Sequence, residues 1–218
     1  MASQNRIDAA LNDGVSEGAR VWVRNSGAAA KDRPFLSAIV EDISADGLKA
    51  TIRPEAGDKY GGEEGGLVQI EANRLLPQHH ATPVDDQARL VHISEATILH
   101  NTAARARADE PYSWLGPGQM LSVNPCGKEL AKLYGEQAML RHTADGEAER
   151  SEPAPHPYAL GEAAIGRLHR HRMVAVLVSG ESGSGKTEAA KQLVSYLTWR
   201  SARGQSASID TFARKLSA

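Results

Sequence analysis

Gly180-Glu181-Ser182-Gly183-Ser184-Gly185-Lys186-Thr187 is the stretch that decides the fold. It matches G-x-x-x-x-G-K-[ST]. A polyphosphate needs several donors converging on one small volume. Glycine at 180, 183 and 185 opens backbone angles closed to other residues, so successive N–H groups can turn inward as an anion nest. A helix beginning at the end of the loop adds free N–H groups and its positive dipole end. Lys186 supplies a full charge at the β/γ-phosphates, and the Thr187 hydroxyl can ligate a magnesium ion held by the same phosphates.

The flanks agree with that reading. Met173-Val174-Ala175-Val176-Leu177-Val178 is apolar on both faces, which predicts a buried parallel strand. Ala189, Ala190, Leu193, Val194 and Leu197 form one helical stripe. Strand, glycine loop and helix in this order are of P-loop NTPase type. Hydrolysis also requires a carboxylate behind the magnesium and a group orienting water. No apolar run ending in Asp follows Thr187, and the stretch from Arg200 to Ala218 reads as a polar tail. Ala38-Ile39-Val40-Glu41-Asp42 resembles such a strand end, but it lies among short alternating strands and reads as one of them.

Those strands fill residues 18–78. Arg20–Arg24, Phe35–Val40, Leu48–Arg53 and Leu67–Glu71 are separated by turn signals at Asn25-Ser26-Gly27, Ser44–Gly47 and the glycine-rich Gly57–Gly66. This spacing predicts a small antiparallel β-barrel with Trp22 in its core. His79–Asp86 reads as a linker. Ser94 is placed to cap a helix through Ile98 and Leu99, with Glu95 in its first turn. Gln119–Val123 reads as a strand that stops at Asn124-Pro125. Lys128–Tyr134 is expected as a short helix, His142–Pro157 as an exposed loop and Tyr158–Arg170 as a helix. The fold class expected is α/β with a small N-terminal antiparallel β-barrel and an incomplete sheet.

Composition excludes several function classes. The 218 residues carry 25 Lys+Arg and 27 Asp+Glu, a net charge of −2, so no basic excess suggests nucleic acid. The single cysteine, Cys126, excludes an internal disulfide and a thiolate-rich zinc site. The longest apolar run, six residues from Met173 to Val178, is far short of the ~20 that span a bilayer. No signal-peptide core opens the chain, and a cytoplasmic protein is expected. His169-Arg170-His171-Arg172 reads as a basic helix end favoured by the dipole, rather than as metal ligands.

Gly180 to Glu188 resembles the phosphate loop of the myosin motor, where Glu-Ser after the first glycine and Glu after the threonine narrow the generic pattern. Ser184 departs from the alanine commoner there. Ile93–Asn101 is similar to the segment opening the motor core, and Pro111–Trp114 with Leu121–Pro125 to the strand entering the purine-binding loop. Pro155–Leu160 resembles the helix start before the phosphate-loop strand, and residues 18–78 the small N-terminal domain of many myosins.

The resemblance implies a barrel at 18–78, the N-terminal part of a motor domain at 88–200 and a divergent tail at 201–218. It implies an ATP site formed by Gly180, Glu181, Ser182, Gly183, Ser184, Gly185, Lys186, Thr187 and Glu188, with Thr187 on magnesium. Asn124, Pro125 and Tyr134 would line the adenine. The stretch from Asn124 to Tyr134 is a residue or two longer than usual, with Cys126 and Gly127 where bulkier residues are common. The family hydrolyses ATP and moves on actin in the cytoskeleton. Its two switches, relay helix and actin-binding cleft lie beyond the phosphate loop, so the expectation is the first quarter or so of a myosin head. Two other readings remain: a complete P-loop kinase or NTPase using Glu41 and Asp42, and a non-enzymatic module whose barrel binds another protein.

Overall fold

The computed structural model describes residues 15–55, 59–60, 63–64, 66–78, 82–126, 131–143, 153–168 and 170–216; of 28–29, 59–60, 63–64, 131 and 204–216 it describes the backbone. The expected linker pair His79-His80, the segment 127–130, most of the 142–157 loop, and His169 lie outside these residues. The chain divides into two compact units, Met1–Thr82 with Leu90–His100, and Pro83–Arg89 with Asn101–Ala218.

In the first unit the strands are β1 (Arg20–Arg24), β2 (Phe35–Ile43), β3 (Lys49–Pro54), β4 (Lys59–Tyr60), β5 (Glu63–Glu64), β6 (Val68–Glu71) and β7 (Leu76–Pro77). Five of them form one antiparallel sheet in the order β6-β3-β2-β1-β7, while β4 and β5 pair separately. Alternation sets the core. Val21 and Val23 on β1, Ala38 and Val40 on β2, and Ala50 and Ile52 on β3 are buried together with Ile70 and Leu75. Neighbours in register, Val21 with Ala38 and Val40 with Ile52, keep that face continuous.

The register of β2 on β3 shifts between Val40 and Asp42. This bulge lets Glu41 and Asp42 both face solvent and returns Ile43 to the core side. Glu41 is paired to Arg53 at 2.6 Å. The Ala38–Asp42 run is therefore a sheet strand, as the alternating pattern predicts.

Trp22 differs from expectation. The period of two that buries Val21 and Val23 turns it to the opposite face, where it is half-buried against His100, ring centroids 5.0 Å apart. Helix α1 (Glu95–Arg107) begins where the Ser94 signal places it. The Thr97 N–H donates to Ser94 Oγ at 3.2 Å, and Thr97 Oγ1 donates to the His92 carbonyl at 2.6 Å.

The second unit contains an antiparallel hairpin of β8 (Tyr112–Trp114) and β9 (Met120–Ser122), then α2 (Glu136–Arg141), α3 (Pro157–Leu168) and α4 (Lys186–Leu216). Among the described residues of the stretch expected as a short helix, Ala131–Leu133 form a 3-10 turn. Helix α3 packs closely on α4 at Gly161. A Cβ there would lie 2.7 Å from Tyr196 Cδ1, so only glycine fits. Tyr158, Tyr196, Ala138 and Met139 form the buried cluster, with Tyr134, Ile165 and Trp199 packed against it.

Three further expectations give way. Met173–Val178 lies in no strand ladder among the described residues, and Met173 and Leu177 are 84% and 91% exposed. Apolar sequence makes burial favourable, but burial requires neighbours, and only Val174 and Val176 are half-covered. Pro155, His156 and Pro157, expected in an exposed loop, are buried because they lead α3 into the aromatic cluster. The polar stretch after Arg200 continues α4 to Leu216, since it holds no proline and several strong helix formers, including Ala202, Ala207 and Ala213. No helix among the described residues is long and apolar enough to cross a membrane.

Candidate functional site

The loop preceding α4 has the backbone that its glycines permit. Gly180, Gly183 and Gly185 have φ of 153°, 78° and 90°, where an L side chain is strained. At Gly180 a Cβ would also meet Ser184 Oγ at 2.6 Å. The first α-helical bond runs from the Ala189 N–H to the Gly185 carbonyl at 2.9 Å. The N–H groups of Lys186, Thr187 and Glu188 thus precede the ladder and lack intrahelical acceptors. Glu181, Ser182, Thr187 and Glu188 are exposed.

Lys186 folds back over the loop. Its Nζ donates to the carbonyls of Gly180 at 2.8 Å and Glu181 at 2.6 Å, and the Ser184 N–H donates to the Glu181 carbonyl at 3.2 Å. These bonds hold the ammonium against two carbonyls of the loop. Beside the loop lies a cavity of about 580 Å³ whose walls include Met120, Leu160, Ala164, Val176 and Lys186. Glu188 accepts from Gln192 Nε2 at 3.2 Å, and Gln192 Oε1 accepts from the Tyr158 hydroxyl at 3.0 Å, so the first turn of α4 is tied to α3.

The residues expected at the base separate into two groups. Asn124 meets the phosphate loop: its Nδ2 donates to the Gly183 carbonyl at 2.7 Å, and its Oδ1 accepts from the Cys126 N–H at 3.1 Å. Pro125 is exposed beside it. Tyr134 is held elsewhere, its hydroxyl 2.5 Å from that of Tyr112 and its ring 5.8 Å from His156. Among the described residues no side-chain hydrogen bond joins Tyr134 to the loop.

Sequence reasoning misses the aromatic cluster around Tyr134. His142 stacks on His156 at 4.6 Å with an interplanar angle of 13°, and Tyr158 stacks on Tyr196 at 5.1 Å. Its members come from β8, the end of α2, α3 and α4, so no periodicity joins them; the one local signal is Pro155-His156-Pro157. Burial pushes the Tyr112 hydroxyl far above the usual phenol range, reinforced by its bond to Tyr134. Burial, then the neighbouring His142, lowers His156 to about 3. The Tyr196 hydroxyl donates to Glu162 Oε2 at 2.7 Å, and Arg200 pairs with the same carboxylate at 3.1 Å. Among the described residues no three His, Cys, Asp or Glu side chains gather to hold a metal ion.

Comparison with known proteins identifies the family of the chain. Residues 84–217 match the model of the myosin head (motor domain). The chain is 30% identical over 196 residues to Myosin-7 of Arabidopsis thaliana, covering 88% of this chain and 10% of that protein. It is 32% identical over 187 residues to Myosin-14 of the same plant, covering 84% and 11%. Protein OPAQUE1 of Zea mays is 30% identical over 188 residues, covering 84% and 11%. The chain spans about a tenth of the length of these curated relatives. With the family model covering more than half of its residues, the chain belongs to the myosin motor-domain family.

Proposed function

We propose that residues 180–188 grip the triphosphate of ATP, with Thr187 on the accompanying magnesium. The observation that carries this reading is the left-handed backbone at Gly183 and Gly185 at the mouth of α4, with Lys186 Nζ held at the Gly180 and Glu181 carbonyls of the same loop. Such a mouth suits a compact polyanion. Magnesium bound there would neutralise charge between the phosphates. The donor set suits it modestly: one hydroxyl from Thr187, with the phosphates and water supplying the other oxygens.

Within this reading residues 18–78 are a small barrel-like module, 88–200 the nucleotide-binding part of a motor domain, and 201–218 a segment that departs from the family pattern. The family supports ATP hydrolysis coupled to movement on actin, in the cytoskeleton, as the activity of the protein to which these residues belong. Tyr134 and Pro125 are proposed at the adenine on the family pattern alone.

The test is titration of a fluorescent ATP analogue with magnesium into the whole chain and into Lys186→Ala. Losing the charge-assisted contact should weaken binding by roughly 1.5–3 kcal/mol. Equal affinity of the two proteins would sink the assignment.

A further inference from the structure

We propose that Asn124 is a positioning residue of the phosphate loop, tethering the Gly183 peptide, and not a contact for the base. The inference rests on the phosphate-loop reading above and deepens it. The Asn124 amide is oriented at both ends by backbone groups. Oδ1 takes the Cys126 N–H, so Nδ2 is the edge left to face the Gly183 carbonyl, and a flipped amide would set oxygen against oxygen.

Gly183 needs that tether. It has no side chain, its φ is +78°, and a Cβ built on it would meet nothing within 4 Å. Packing therefore does not hold this peptide, and glycine has the most conformational freedom to lose. The peptide unit is planar, so fixing the Gly183 carbonyl also fixes the direction of the Ser184 N–H, which donates to the Glu181 carbonyl. Asn124 on one side and Glu181 on the other thus clamp one peptide plane of the nest. Asn124 also lies against Gly185, where a Cβ would sit 3.8 Å from the Asn124 Cβ. The strand end at β9 and the helix start at α4 are joined through this one side chain.

A positioning role and a base contact differ in what they do to a ligand that has no base. Magnesium–ATP and magnesium–tripolyphosphate are titrated calorimetrically into the whole chain and into Asn124→Ala. The tether predicts that both ligands weaken by the same factor, roughly three- to tenfold for one exposed hydrogen bond. Weakening confined to ATP would make Asn124 a base contact and overturn the proposal, as would unchanged affinity for both. A second readout needs no ligand: the 15N order parameters of Gly183 and Ser184 should fall in Asn124→Ala and in the isosteric Asn124→Asp, which keeps the acceptor for Cys126. Unchanged order parameters in either variant would overturn the tether. If the unmodified chain binds neither ligand, the phosphate-loop reading fails by itself, and the relaxation data still decide whether Asn124 holds the loop. Asn124 is exposed, so the circular dichroism and melting temperature of both variants should match those of the unmodified chain.

Discussion

His156 is a histidine with room for one ring proton only. Its Nδ1 accepts the Tyr158 N–H at 3.1 Å, leaving the proton on Nε2, and the residue is 4% exposed. Burial dominates the lowering of its pKa to about 3; His142 and Arg141 add to it, and the Leu133 carbonyl works against it. The unfolded chain takes up the proton near pH 6.5, and the folded chain refuses it until about pH 3. Stability is therefore full above pH 6.5 and is lost as the pH falls through that window. The expected loss between pH 7 and pH 5 is about 2 kcal/mol, read from urea unfolding at both values. His156→Phe, which keeps an aromatic ring and cannot charge, should lose correspondingly less over the same interval. A variant with the same pH slope as the parent would show that another group is responsible.

Helix α3 meets α4 through a glycine, and that contact sets the next expectation. Gly161→Ala places a methyl 2.7 Å from Tyr196, which is fully buried and pinned through its hydroxyl to Glu162 and the His142 carbonyl. Overpacking of this kind costs about 1–3 kcal/mol. Gly166→Ala, in the same helix with open space around it, should instead stabilise by about 0.5–1 kcal/mol. Opposite shifts in melting temperature for the two substitutions are the outcome to look for. Ser94→Ala removes the cap of α1 and should cost about 0.5–2 kcal/mol on the same scale.

At the level of elements it is also plain what was legible in the sequence. Strands β1, β2, β3 and β6 of the first sheet, the Ser94 cap and the glycine loop are local patterns, each set by a period of two, a hydroxyl or a positive φ, whereas the two-residue β7 is too short to carry a period. The exposure of Leu177 was not legible, because burial is decided by neighbours distant in sequence. The tie from Tyr134 to Tyr112 and the meeting of His142 with His156 were hidden for that reason too. Asn124 was legible as a strand-ending residue, and its reach to Gly183 needed the two loops in place.

For the whole molecule, the binding proposed at 180–188 would be linked to the stability of the unit that contains it. A ligand at one hundred times its dissociation constant stabilises the form that binds it by about 2.7 kcal/mol. Magnesium–ATP at that level should raise the melting temperature of the second unit by roughly 5–10 °C, and Lys186→Ala should cut the shift to about half or less. A rise of equal size in the variant would place the ligand elsewhere.

The backbone angles at Gly180, Gly183 and Gly185 carry a genetic consequence. Every amino acid one nucleotide away from a glycine codon brings a β-carbon: alanine, valine, serine, cysteine, arginine, tryptophan, aspartate or glutamate. Three codons of this gene therefore have no gentle missense neighbour. Drift that spares the shape of the loop has to pass through silent third-base changes, and a lineage that stops using the loop should reveal it first at those three positions.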